Sequence, residues 1–263
     1  MNPLKIIKSM NDWQTYKSKL INSNPFNNEI TNNFLQTRKM TSAKILLPMT
    51  ICDILNITSN KEIINDVMHY IYFVRASDDI IDDNINNINP QRSLEDISQY
   101  GVTGDRSIFN NYDDKSITAT AGYLLRSHLE KMSFDSEYIK SIVVLGNTCK
   151  QEFSNDKNVS EKARLEVCGL YVEGIYNVIS SKTHVSSSNL KNAMYTLGLA
   201  SRFYDDLSDE SKYVNKNERL YTAKNLINKS KQCFENPTQL SKFSVLTNLL
   251  QFWWFFERNI KYK

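Results

Sequence analysis

Between Asn60 and Asp83 apolar residues recur at steps of three and four: Ile63, Ile64, Val67, Ile71, Val74 and Ile81. Such spacing returns side chains to one side of a 3.6-residue turn and predicts an amphipathic helix. Thr58-Ser59-Asn60 offers its caps, with Glu62 as capping-box partner to Ser59. The same period predicts helices over roughly 117–132, 135–153, 160–182 and 189–212, and a weaker one near 217–230. Pro237 reads as a break, and a last helix starts from about Gln239. Upstream, an apolar pattern from Phe34 to Asn56 runs through Ile45-Leu46-Leu47, with Pro48 at a helix end or kink. Residues 1–33 are polar and rich in Asn, with apolar points at Leu4, Ile6, Ile7 and Trp13; they predict one short helix and a flexible leading segment. From Asn84 to about Ser116 the chain is polar and irregular, which predicts a long connection with one short helix in it. No repeat of about 20–50 residues is present, which argues against a solenoid. The expected architecture is all-α: a polar N-terminal segment, 1–33, then a single-domain helical bundle, 34–263.

Composition supports this picture and narrows the function. Seven glycines and five prolines in 263 residues are few for a turn-rich β fold and suit long helices. A net charge of +3, with Lys and Arg scattered, offers no basic face for nucleic acid. Cys52, Cys149, Cys168 and Cys233 show neither CxxC spacing nor neighbouring histidines, so a zinc site or disulfide framework is not expected and a reducing compartment is. With no charged-then-apolar leader and no run of about 18 apolar residues, the expected location is cytoplasmic.

Two segments carry chemistry. Arg75-Ala76-Ser77-Asp78-Asp79-Ile80-Ile81-Asp82-Asp83 and Arg202-Phe203-Tyr204-Asp205-Asp206-Leu207-Ser208-Asp209-Glu210 both read R-x-x-D-D-x-x-D-acidic. At about 100° per residue, Arg75, Asp78 and Asp82 fall within about 60° of one another, and Arg202, Asp205 and Asp209 repeat the arrangement. Each segment ends an otherwise apolar helix, where clustered carboxylates repel one another and face the negative end of the helix dipole. Divalent cations reverse that penalty, because carboxylates at i and i+4 can share hard ions such as Mg²⁺ that also take phosphate oxygens. Asp78, Asp79, Asp82, Asp205, Asp206 and Asp209 are therefore candidate metal ligands, with Asp78, Asp82, Asp205 and Asp209 central to catalysis. Arg75 and Arg202 would add fixed positive charge to a diphosphate whose C–O bond breaks to an allylic cation. The competing reading is two solvated acidic helix ends, which twofold occurrence with the same Arg offset disfavours.

Tyr70, Phe73, Tyr171, Tyr176, Phe203 and Tyr204 are candidate walls for such a cation, and ordinary core packing competes for each. His69, His128 and His184 lack metal-ligand spacing and read as structural, while Asp113-Asp114 reads as a helix-start acidic pair. The cluster Phe252-Trp253-Trp254-Phe255-Phe256 is expected to bury against the bundle, the alternative being peripheral membrane or partner contact.

At these residues the chain resembles the squalene/phytoene synthase family of class I isoprenoid synthases. Thr37 to Lys44 followed by Leu46-Leu47-Pro48 is similar to that family's early Ser/Lys-rich segment ending in LP. Tyr72-Phe73-Val74-Arg75 leading into Asp78-Asp79-Ile80-Ile81-Asp82-Asp83 resembles its first aspartate motif. Leu170-Tyr171-Val172-Glu173-Gly174 resembles its Y-x-V-A-G stretch, and Leu197-Gly198-Leu199-Ala200 the L-G-x-A run before its second motif. The likeness spans roughly residues 35–215. It implies a helical bundle around a central cavity, Mg²⁺ as cofactor (about three ions with substrate bound) and head-to-head condensation of two prenyl diphosphates. It also implies diphosphate contacts from Arg38, Lys39 and Lys44. Lys212, Lys216 and Arg219 follow the second segment and would close over the diphosphate unless they form a solvated charge run.

Three features depart from the family pattern. About a dozen extra residues separate Leu47-Pro48 from the first motif, and Glu173 stands where a small residue is usual. The second motif reads Arg202, Asp205, Ser208-Asp209 and Tyr213 where the family carries Gln, Asn, Arg-Asp and Asp. That segment is closer to the second motif of chain-elongating prenyl transferases and lies where terpene cyclases hold their metal triad. A cyclase acting on one diphosphate is thus the alternative, and a non-catalytic helical assembly protein the second alternative. No glycine motif for NAD(P)H supports a reductive step.

Overall fold

The computed structural model describes residues 3–26, 28–37, 42–83, 89–110, 112, 117–208 and 215–260, and for 3, 30, 34, 37, 42–44, 79–83, 205–208, 249–250 and 252–260 the backbone alone. Among the described residues the chain is all-helical. α1 is Pro3–Asn22, α2 Glu29–Thr37, α3 Ser42–Ile54, α4 Lys61–Asp83, α5 Pro90–Thr103 and α6 Ile117–Lys131. α7 is Ser136–Gln151, α8 Lys157–Thr183, α9 Ser188–Ser208, α10 Lys216–Lys231 and α11 Pro237–Ile260, and a 3₁₀ turn (Arg106–Phe109) follows α5. No described helix is long and apolar enough to cross a membrane.

α4 and α8 organise the packing. α4 lies against α1, α3, α6 and α8, and α8 lies against α3, α4, α7 and α9, with α10 covering α9 and α11 packing on α3. One continuous apolar cluster runs through these contacts, from Trp13 and Tyr72 to Ile179, Met194 and Phe243. Burial of each such large side chain contributes on the order of 1.5–3 kcal/mol.

The later helices follow their apolar period, whereas the N-terminal third departs from it. α1 is a twenty-residue helix rather than a short one. Its inner face holds Trp13, edge-on to Tyr72 at 5.8 Å between ring centroids, together with buried Ser9 and Lys17. Lys17 is accommodated because its ammonium donates to the Gln36 carbonyl at 3.2 Å and lies over the Tyr72 ring. Leu4 and Ile7, two of the apolar points of this segment, are exposed. The expected irregular stretch contains α5, a fourteen-residue helix with Asn89 as cap, Pro90 in its first turn and Gly104 in the left-handed conformation at its end. Leu94, Ile97 and Tyr100 supply its buried face.

Smaller corrections have equally local causes. Asn60, not Ser59, caps α4, its Oδ1 accepting the Ile63 N–H at 2.9 Å. Ser59 is bonded to Lys5 and Glu62 to Lys182, so the Ser59–Glu62 box does not form. Pro48 lies inside α3, which rules out the helix end of the two expected roles and leaves the kink. Pro237 opens α11, a position where its missing N–H costs nothing. Asp113-Asp114 lies outside the described residues, as do the side chains of Phe252 to Phe256.

Candidate active site at the ends of two helices

Both acidic segments close long helices: α4 ends at Asp83 and α9 at Ser208. α8 packs against both, and glycines set how closely. On the α4 side a Cβ at Gly174 would collide with the Tyr70 hydroxyl. That hydroxyl donates to the Tyr171 carbonyl at 3.1 Å, and the two phenol rings stack with centroids 6.0 Å apart and planes at 24°. On the α9 side a Cβ at Gly198 would strike the Cys168 carbonyl, and one at Gly169 would lie 2.6 Å from the Tyr195 ring. The stretches around Gly174 and Gly198 that resemble known motifs thus each hold a glycine whose missing side chain lets the neighbouring helix approach.

Asp78 is the candidate ligand whose side chain is described. Arg75 Nη1 lies 2.8 Å from Asp78 Oδ2, and the two side chains are 51 % and 44 % exposed. This i, i+3 contact is the one anticipated from helical spacing, and exposed pairs of this kind contribute about 1 kcal/mol or less. Arg75 and Asp78 act electrostatically on Tyr171. Burial pushes that phenol far above its ordinary range, Arg75 opposes the rise and Asp78 adds to it. Burial, then Glu152 and Asp78, push the Cys149 thiol up to about 12. Asp78, Arg75, Tyr171 and Cys149 thus share one neighbourhood built from α4, α7 and α8. Glu173, in place of the usual small residue, pairs with Lys191 of α9 at 3.3 Å.

Asp79 and Asp82 continue α4, and Asp205 and Asp206 continue α9, with side chains outside the described residues. Asp209, Lys212, Tyr213, Arg38 and Lys39 lie outside them altogether, as does the Lys44 side chain. Arg202 is half-buried on α9 with Phe203 and Tyr204, where burial raises the Tyr204 phenol. Lys216 is exposed and Arg219 half-buried in the first turn of α10, the helix that packs along α9. Tyr70, Phe73 and Tyr176 are buried core residues; the Tyr176 hydroxyl accepts the Ser187 N–H at 2.6 Å. Among the described residues no three His, Cys, Asp or Glu side chains are grouped to hold a metal. The donor Asp78 offers, a half-exposed carboxylate near a helix end, is of the type that suits a hard oxygen-seeking ion such as Mg²⁺.

A second polar constellation sits on the same helix and was not anticipated. Asp66, fully buried, lies 3.2 Å from Lys131 Nζ of α6 and 3.1 Å from Lys182 Nζ of α8. Lys182 also contacts Glu62 and donates to the Lys131 carbonyl at 2.9 Å. Beside it, buried His69 and His128 meet edge to face with ring centroids 5.2 Å apart. The available signal was that Asp66 and His69 interrupt the apolar period of α4.

No family model matches the chain, and neither does any curated protein or solved structure.

Proposed function

We propose that the chain is a Mg²⁺-dependent class I isoprenoid synthase that ionises an allylic prenyl diphosphate and forms carbon–carbon bonds through the carbocation. One observation carries this reading: the R-x-x-D-D-x-x-D segment occurs twice, each copy ends a long helix, and both helices pack on α8. Like charges at the negative ends of two helix dipoles are a repeated cost, which a bound cation offsets. Mg²⁺ held by Asp78, Asp79 and Asp82 on one side and Asp205, Asp206 and Asp209 on the other would neutralise a diphosphate leaving group. Arg75 and Arg202, one turn upstream, are spaced to orient that anion, joined by Arg38, Lys39 and Lys212. The C–O bond then breaks with its electron pair leaving on pyrophosphate. The allylic cation stays away from water against aromatic and aliphatic side chains of the helices.

Condensation of two prenyl diphosphates is the favoured reaction, on the resemblance through the first motif, the Tyr171–Gly174 stretch and the Leu197–Ala200 run. Cyclisation of a single diphosphate is the second reading, favoured by Arg202, Asp205, Ser208-Asp209 and Tyr213. Incubation with Mg²⁺ and ten-, fifteen- or twenty-carbon allylic diphosphates, followed by analysis of extracted products, separates them. A doubled carbon skeleton supports condensation; a cyclic product from one substrate replaces it with cyclisation. No pyrophosphate release from any of them, with no Mg²⁺-dependent stabilisation by pyrophosphate, would leave a helical assembly protein.

A further inference from the structure

The imidazoles of His69 and His128 sit where five helices meet, in a part of the molecule with no role in the proposed chemistry. His69 Nδ1 is 2.8 Å from the Tyr16 hydroxyl of α1, and His128 Nε2 is 2.7 Å from the Tyr138 hydroxyl of α7. Both rings are fully buried, and His69 Nε2 and His128 Nδ1 have no hydrogen-bond partner. A neutral ring can turn its bare nitrogen to the apolar side. An imidazolium cannot, since both its N–H groups must donate and one would be buried unbonded. The surroundings oppose a further positive charge as well. From α6 comes Lys131, which also lies 4.3 Å from the centre of the Tyr16 ring, and from α8 comes Lys182. α4 contributes Asp66 and Tyr70, with Glu62 at its start, and the one buried carboxylate already faces both ammonium groups. The remaining titratable neighbours are the phenols of Tyr16, Tyr123 and Tyr138, and burial raises those of Tyr16 and Tyr138. For His69 the Leu124 carbonyl opposes this as an acceptor for the charged ring, so the N–H left without an acceptor on protonation is that of His128 Nδ1.

We propose that the His69–His128 pair is an acid-released latch, holding α1 through Tyr16 and α7 through Tyr138 onto the frame of α4, α6 and α8. Above the ordinary histidine range the rings are neutral and the latch is closed. As pH falls below 6.5, an opened state that exposes the rings takes up protons the closed state refuses. Burial, then Lys131 and Lys182, hold His128 down to about 3, and burial, His128 and Lys131 lower His69 too. The stabilisation is therefore fully present above about 6.5 and is lost progressively between there and about 3. The crossing of α8 and α9 at Gly169 and Gly198 contains no imidazole and should not respond.

Hydrogen exchange of the full chain at pH 7 and pH 5, corrected for intrinsic rates, tests this. Opening of α1 and α7 should increase roughly thirty-fold relative to α8 and α9 from His128 alone. In the His69→Gln/His128→Gln variant that selective increase should vanish. The proposal is overturned if the double variant keeps it, or if α8 and α9 lose protection equally. Histidine ring resonances of the unaltered protein provide a reading that does not depend on the variant folding. A buried ring titrating near 6.5 with α1 and α7 still protected would also overturn it.

Discussion

Asp66 and Asp78 are the same residue type on the same helix, twelve positions and about 18 Å apart, yet the protein treats them oppositely. Asp66 is fully buried, and its charge is met inside the fold by two lysines from two other helices. Asp78 is half-exposed at the helix end, met by one arginine from its own helix in a sequence run that adds three more carboxylates. A carboxylate whose counter-charge comes from distant elements holds those elements together. One among neighbouring carboxylates, at the end of a dipole that disfavours it, is where the proposed cation would offset a cost. On this comparison the first part of α4 ties helices together, and its end carries the proposed chemistry.

The largest effect should come from breaking the buried set unevenly. Asp66→Ala leaves Lys131 without its carboxylate and Lys182 with exposed Glu62, and should cost about 3 kcal/mol, read by denaturant unfolding. Replacing all three together, Asp66→Leu/Lys131→Met/Lys182→Met, should recover most of that loss, because no uncompensated charge remains. If the triple replacement is no better than the single one, the set is not a charge clamp and the comparison fails for the first part of α4.

Next comes the spacing that positions the two acidic ends. Gly198→Ala puts a Cβ against the Cys168 carbonyl, which belongs to backbone and cannot rotate away, and should cost about 1–3 kcal/mol. Gly174→Ala meets the Tyr70 hydroxyl instead, which would have to leave the Tyr171 carbonyl, and a cost at or below the lower end of that range is expected. Thermal unfolding of the two variants would rank them, and the reverse order would mean that α4 and α8, not α8 and α9, make the less adaptable contact.

Acidification gives a comparable loss by another route. His128 is neutral in the fold down to about 3 and titrates near 6.5 once exposed, so the free energy that opens α1 and α7 should fall by about 2 kcal/mol between pH 7 and pH 5. Hydrogen exchange of those two helices across that interval would show it, and a flat profile would mean the imidazole is already solvated in the folded protein.

Reading the chain alone succeeded where a periodic apolar face decides the element, as in α4 and α6 to α9. It failed where packing reverses the local pattern. α1 buries Ser9 and Lys17 while exposing Leu4 and Ile7, because Trp13 and the Gln36 carbonyl fix which side faces α4. α5 is hidden in a polar stretch because three buried side chains suffice once Asn89 and Gly104 cap it. At the candidate site the Arg75–Asp78 contact was legible, since i, i+3 geometry is local. The His69–His128 pair was not: these residues are 59 positions apart and meet only through the contact of α4 with α6.

The smallest stability effect carries the most weight for function. Asp78→Asn removes an exposed ion pair, so unfolding free energy should move by no more than about 1 kcal/mol. The change also relieves repulsion with Asp79 and Asp82 and an unfavourable interaction with the helix dipole, which acts in the stabilising direction. Stabilisation of the unaltered protein by Mg²⁺ and pyrophosphate together should nevertheless be largely lost, because binding to the folded state raises the melting temperature only while affinity persists. Calorimetric melting with and without Mg²⁺ and pyrophosphate reads both quantities in one experiment. Asp66 variants that remain folded should show the converse: a lower melting temperature but an undiminished increment from the two ligands. Equal increments in Asp78→Asn and the unaltered protein would return Asp78 to the status of a solvated helix end, and with it the division of α4 into a part for the fold and a part for chemistry.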